Sequence, residues 1–309
     1  MERRLIGAMR HALGPLICER LDDPQVIELL LNADGRLWED RLGEGMRQIG
    51  TMAASAAESF ISMVASSLRA TVTRESPILE AELPIRGARF EAMIPPVVSA
   101  PAFAIRLKAV KIFTLYDYVA DGIMTERQHA VIEDAVHSRR NILISGGTGT
   151  GKTTLANAVL ATVAETTPED RLVILEDTIE LQCQADNAVA LRATDTVDMQ
   201  RLLRATMRLR PDRIIVGEVR GGEALQMVKA WNTGHPGGLC TLHANSATAA
   251  LTRLEQLIAE ATTSDMRAVI AEAVNLIVPI AKTRTSRVVD PIVRVEGVHA
   301  GEYILSMEN

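Results

Sequence analysis

The chain has 309 residues, enough for two ordinary domains, and its 47% apolar and 23% charged residues match a soluble globular protein, which excludes a disordered or low-complexity class. Lys and Arg total 33 against 39 for Asp and Glu, a net charge of −6, so direct nucleic-acid binding is not supported by charge. Cys18, Cys183 and Cys240 are odd in number and far apart, which excludes a disulfide framework and a cysteine metal site and fits a reducing cytosol.

In chain order, the basic start at 1–4 is followed by a short apolar stretch broken by Arg10, His11 and Glu19, unlike a signal peptide. No apolar run approaches the ~20 residues that a membrane helix needs, so no integral membrane segment is expected. Residues 1–75 read mostly as helix, interrupted by two short strands around the Asp34-Gly35 turn. Residues 51–72, rich in Ala, Ser and Met, carry apolar residues at helical intervals. Strand patterns follow at 78–85, 88–94 and 103–107, punctuated by Pro77, Pro84, Gly87, Pro95, Pro96 and Pro101. Residues 1–122 therefore read as an α+β domain with a linker.

From 123 to 309 the pattern changes to strands alternating with helices, the signature of an α/β domain with a mostly parallel sheet. Strands are predicted at 141–145, 171–175, 213–216 and 239–242. Helices are predicted at 152–164, 199–209, 223–231, 248–259 and 266–273. The segments 276–280, 291–295 and 303–305 read as a closing antiparallel set.

Between the first of these strands and the first helix lies Gly146-Gly147-Thr148-Gly149-Thr150-Gly151-Lys152-Thr153, which fits G-x-x-x-x-G-K-[ST] without deviation. Glycines let the backbone turn so that successive N–H groups point at phosphate oxygens, and the helix that follows aims its positive end at the same anion. Lys152 supplies a compact charge to the β- and γ-phosphates, Thr153 offers a hydroxyl to Mg²⁺, and Thr154 follows at the edge of the cradle. The flanking strand and helix separate this loop from a chance glycine-rich turn. ATP with Mg²⁺ is the expected ligand.

Ligands in open α/β sheets sit at the carboxyl ends of the strands. Three later strands run into residues suited to phosphate chemistry: Glu176-Asp177 with Glu180 close behind, Gly217-Glu218, and His243. A carboxylate near the γ-phosphate holds Mg²⁺ through water or takes a proton from the attacking water, which makes Glu180 and Glu218 candidates. His243 is a candidate donor to a phosphate oxygen, although on sequence alone a structural histidine fits it better. His235, inside Thr233-Gly234-His235-Pro236-Gly237-Gly238, reads as part of a turn.

Residues 209–224, Leu-Arg-Pro-Asp-Arg-Ile-Ile-Val-Gly-Glu-Val-Arg-Gly-Gly-Glu-Ala, resemble the Walker B region of the secretion traffic ATPases. Residues 175–181 resemble the Asp box of that family, and 234–238 with 241–246 resemble its His box. With the phosphate loop, four blocks stand in the family's order across 146–246, and the likeness is to the conjugal-transfer branch of the type IV secretion group. That resemblance implies a homo-hexameric ring in which an amino-terminal domain and a RecA-like ATPase domain enclose ATP. It also implies a cytoplasmic enzyme held peripherally at the inner membrane by components of a secretion or conjugation complex, where hydrolysis drives pilus assembly or substrate transfer.

By position, the resemblance makes Lys152 and Thr153 the phosphate and metal residues, Glu180 the Asp-box acid, Glu218 the Walker B acid and His243 the His-box histidine. It also assigns Arg106, in Ile105-Arg106-Leu107-Lys108, to the nucleotide, although the family's usual Lys-Pro after that arginine is replaced here. Arg208, Arg210 and Arg220 flank the Walker B region, and the sequence does not choose among them. A type II secretion motor typically carries paired Cys-x-x-Cys motifs, which this chain lacks. A pilus-retraction motor and a nucleotide-gated scaffold with little turnover stay as alternatives, whereas no acceptor lid suggests a small-molecule kinase.

Overall fold

The computed structural model describes residues 2–41, 44–68, 70–108, 112–194, 196–283 and 286–308, and the chain divides into two units, Met1–Lys111 and Ile112–Asn309. The first begins with α1 (Glu2–Asp22), broken at Gly14 ahead of Pro15, and continues through β1 (Val26–Leu31), β2 (Arg36–Arg41) and β3 (Gly45–Thr51). Then come α2 (Ala54–Ser67), β4 (Ile78–Leu83), β5 (Ala88–Met93) and β6 (Ala102–Arg106). The strands form one antiparallel sheet in the order β3-β2-β1-β6-β5-β4. Helix α2 buries Ala57, Phe60, Ile61, Val64 and Ala65, a single stripe of its surface. Phe60 meets Phe90 edge-on at 5.4 Å and Phe103 at 5.8 Å, so three of the chain's four phenylalanines nucleate this core. The sequence reading missed β3: it is an edge strand of mostly exposed polar residues and has no alternation to read.

The second unit runs α3 (Leu115–Ala120), α4 (Glu126–His137), β7 (Ile142–Gly146), α5 (Lys152–Thr166), β8 (Leu172–Glu176) and β9 (Ala188–Arg192). It continues α6 (Met199–Thr206), β10 (Arg213–Glu218), α7 (Ala224–Asn232), β11 (Leu239–His243), α8 (Ala247–Ala259) and α9 (Arg267–Ala273). It closes with β12 (Leu276–Lys282), β13 (Arg287–Val289), β14 (Ile292–His299) and β15 (Glu302–Glu308). The nine-stranded sheet has the order β15-β14-β12-β7-β11-β10-β8-β9, with β13 paired to β12. From β12 to β9 every pairing along that path is parallel. Helices α3, α4 and α5 cover one face, and α6 to α9 the other. Strands β7 and β8 are buried along their whole length, which is why they read as unbroken apolar runs. This is a RecA-like α/β domain preceded by a smaller α+β domain.

Two sequence expectations shift. The division falls at 111/112 rather than at 122, because Leu115 and Tyr118 of α3 are buried in the core beneath α4 and α5. The segment 276–280 is antiparallel to β14 but parallel to β7, because the chain crosses over through α8 and α9 before it re-enters the sheet. Among the described residues no helix is long and apolar enough to cross a membrane.

The amino ends of the parallel strands are sealed by buried polar contacts. Arg213, 1% exposed, pairs with the equally buried Asp170 at 2.7 Å, and Asp170 also pairs with Arg139. The Arg213 guanidinium further donates to the carbonyls of Gly237 at 3.3 Å and Val136 at 3.0 Å. Asn141 accepts from the N–H of Gly238 at 2.7 Å and donates to the Ala273 carbonyl at 2.6 Å. A Cβ on Gly238 would lie 2.1 Å from Trp231 Nε1, so glycine is required there. Residues 234–238 are therefore structural, and His235, 3.3 Å from the Ala230 carbonyl, belongs to that turn.

Candidate nucleotide site

The phosphate loop leaves β7 at Gly146 and enters α5 at Lys152. A Cβ on Gly146 would lie 2.5 Å from the Ile280 carbonyl, and Gly149 (φ 70°) and Gly151 (φ 99°) adopt left-handed backbone, so the glycines hold the loop's shape. Thr148 and Gly149 are exposed at the loop's tip, and Gly147 and Thr154 are half-buried. Thr150, 7% exposed, ties the loop by donating to the Gly147 carbonyl at 3.0 Å. The Lys152 ammonium donates to the carbonyls of Gly146 and Gly147, both at 3.0 Å.

Sheet register brings the strand-end residues to this loop. His243 stands opposite Gly146 in the β11–β7 ladder, which puts its Nε2 3.4 Å from Lys152 Nζ. The same nitrogen lies 3.0 Å from Glu218 Oε1. One nitrogen cannot accept from Lys152 and donate to Glu218 together. The shorter, charge-assisted contact selects the Nε2–H tautomer, which donates to the carboxylate. Burial and the positive charge of Lys152 lower the His243 imidazole from its ordinary value, opposed by Glu218, which favours its neutral form.

Glu218 reaches this position through a bulge. Val216 pairs with Cys240 and Glu218 with Thr241, so Gly217 is the extra residue, and its carbonyl accepts from the Thr241 hydroxyl at 2.7 Å. Arg220 clamps the other oxygen of Glu218, at 2.7 Å from Nε, and bridges to Asp177 at 2.7 Å. Arg208 and Arg210 instead precede β10, at the opposite rim of the sheet, and are exposed. Of the three candidate arginines, Arg220 stands at this site.

Glu180 accepts from the Thr153 hydroxyl at 3.2 Å, which joins the candidate metal hydroxyl to the Asp-box acid. Two residues to which the sequence reading gave no role at the site hold it. Glu176, 4% exposed, accepts the backbone N–H groups of Glu180 and Leu181, both at 2.8 Å. Burial pushes the Glu176 carboxyl above its usual range, and these two donors oppose the shift. Asn157, buried in α5, accepts from Gln182 N–H at 2.8 Å. The only sequence signal for Glu176 was its place at a strand end, and a buried asparagine on an apolar helix face was the signal for Asn157.

Among the described residues no three His, Cys, Asp or Glu side chains form a metal cage. Mg²⁺ keeps waters and phosphate oxygens and needs few protein ligands, so the Thr153–Glu180 oxygen pair beside the loop fits it. Arg106 belongs to the first unit: it is exposed at the end of β6, opposite Glu28 in β1 and Arg89 in β5. All the other sequence-predicted site residues lie in the second.

The chain matches the family model described as Type II/IV secretion system protein over residues 41–294, more than half its length. It is 56% identical over 300 residues to a probable conjugal transfer protein TrbB of Sinorhizobium fredii, covering 97% of this chain and 92% of that one. Among solved structures, the pilus retraction motor PilT with bound ADP shares the fold at a TM-score of 0.65 and 19% identity, over 95% of this chain and 82% of that one. The VirB11 ATPase of the Brucella suis type IV secretion system, in complex with sulphate, aligns at a TM-score of 0.50 and 24% identity, over 94% and 95%.

Proposed function

The chain belongs to the Type II/IV secretion system protein family, and from that membership we propose that it hydrolyses ATP as a ring motor of a conjugal-transfer or type IV secretion machine. The observation that carries the reading is the contact chain from Lys152 through His243 to Glu218, beside the Thr153–Glu180 pair, at the mouth of an intact phosphate loop.

In this mechanism the loop N–H groups at 147–153 and the Lys152 ammonium hold the β- and γ-phosphates, and Lys152 turns from the loop carbonyls to the phosphate oxygens. Thr153 and Glu180 would hold Mg²⁺, which would supply charge neutralisation on the phosphates. Glu218 orients the attacking water and takes its proton, and His243, donating through Nε2, keeps that carboxylate aimed. Arg220 is released from Glu218 and Asp177 as negative charge develops. Copies of the chain assemble as a hexamer that is held peripherally at the inner membrane by channel components.

The identity of 56% to a conjugal transfer protein favours this role over a retraction motor, which matches in fold alone. A nucleotide-gated scaffold with little turnover is the reading from another class, and the complete set of hydrolytic residues argues against it. Sedimentation with ATP and Mg²⁺ tests the ring: a species of about six subunits is expected, and monomers alone would contradict it. In cells, replacement by the Glu218→Gln protein is expected to abolish plasmid transfer, and loss of pilus retraction with transfer intact would favour the other motor.

A further inference from the structure

The sheet order places β7 and its loop between two flanks. On one side, β11, β10 and β8 bring His243, Glu218 and Glu176, the groups suited to the terminal phosphate. On the other, β12 and β13 bring a cation that the mechanism above does not use. Arg287, the first residue of β13, faces Lys282 in the β12 ladder. Its Cδ and Nε lie 3.1 Å from where a Cβ on Gly151 would stand, so its side chain runs along the last glycine of the phosphate loop.

Arg287 Nε is buried and has no hydrogen-bond partner among the described residues. A guanidinium keeps its charge and its donors at any ordinary pH, and an unmet buried donor destabilises the fold. Such a group persists where something else holds it, and β13 is held firmly. Val289 N–H donates to the Ile123 carbonyl at 2.8 Å, and Gln128 Nε2 donates to the carbonyls of Val289 at 3.0 Å and Asp290 at 3.1 Å. The strand that carries Arg287 is thus anchored beside the loop, and its buried Nε–H is open to an acceptor from a ligand.

Resting on the nucleotide-binding reading, we propose that Arg287 holds the nucleoside end of ATP, with its guanidinium face on the purine and its Nε–H donating to a base or sugar acceptor. A nucleoside triphosphate is extended, and with its terminal phosphate at Glu218 its nucleoside lies away from that flank. A planar cation suits a purine face, and an ammonium does not reproduce that contact.

Titration calorimetry of the full chain with ATP, ADP and inorganic tripolyphosphate tests this. Arg287→Ala and Arg287→Lys are both expected to weaken ATP and ADP roughly tenfold. Tripolyphosphate affinity should be unchanged, and kcat at saturating ATP should stay within about twofold. Unchanged ATP affinity in both variants would overturn the proposal, as would equal weakening of tripolyphosphate. Should Arg287→Ala fail to fold, the Arg287→Lys result decides. A wild-type chain that binds tripolyphosphate but gains nothing from the nucleoside also overturns it, whereas one that binds neither sinks the nucleotide-binding reading itself.

Discussion

At the amino ends of β8 and β10, charged side chains are sealed in the protein and matched to internal partners, whereas at the carboxyl ends of β10 and β11 they stay partly open. Arg213 and Asp170 are each 1% exposed, but His243 is 46% exposed and Arg220 55%. The first rim spends its polar groups on holding strands together; the second keeps them near a loop built to hold an anion. One strand serves both purposes: β10 starts at buried Arg213 and ends at Glu218. The difference teaches that a motif block is not a functional unit. The Walker B and His-box segments each contribute one structural half and one site half.

Substitutions that separate stability from turnover sharpen this comparison. The largest stability effect is expected at the sealed rim, where Arg213→Ala leaves Asp170 buried without its main partner. That variant should lose about 3–5 kcal/mol in chemical denaturation while keeping turnover per folded molecule. Gly238→Ala, with its Cβ aimed at Trp231, should lose about 1–3 kcal/mol by the same measurement.

At the open rim the same kind of change should reach the rate. Glu176→Leu removes the acceptor for two N–H groups and lets Glu180 drift, so kcat is expected to fall about tenfold or more. Glu176→Gln keeps an acceptor oxygen and should restore most of it; a loss in both variants with unchanged stability would break the positioning account. Asp177→Ala cuts an exposed pair and should change stability by no more than about 0.5 kcal/mol.

The smallest effect is a titration. The folded chain binds the His243 proton less readily than the unfolded chain, so stability contributed there is present above the ordinary imidazole range. It is lost as pH falls through the lowered folded value. In NMR titrations Glu218→Gln should move His243 further down, because the attraction that opposes the shift is gone. Lys152→Ala should move it up. Movement in the reverse directions would mean that the Lys152–His243–Glu218 contacts do not govern this histidine.

How much was legible follows the same division. Buried strands such as β7 and β8 and the phosphate loop show themselves because their chemistry is local: an apolar run, then glycines and Lys152-Thr153. Glu218 and His243 were legible as strand ends, but their 3.0 Å contact depends on the Gly217 bulge and the β11–β7 register, which no local pattern carries. Edge strand β3 was missed because it mixes polar and apolar residues without alternation, and β9 was missed although four of its five residues are apolar. Arg287 reaches Gly151 across more than a hundred residues of chain, so only the fold reveals it. The choice of Arg220 over Arg208 and Arg210 likewise needed the strand direction.

Steady-state phosphate release by the purified chain and by Glu218→Gln, with ATP binding measured in both, tests the hydrolytic role of the carboxyl rim most directly. The account predicts Mg²⁺-dependent turnover in the wild type and a loss on the order of a hundredfold or more in the variant, with ATP affinity and stability retained. Equal turnover in the two proteins, no higher than in buffer, would contradict it.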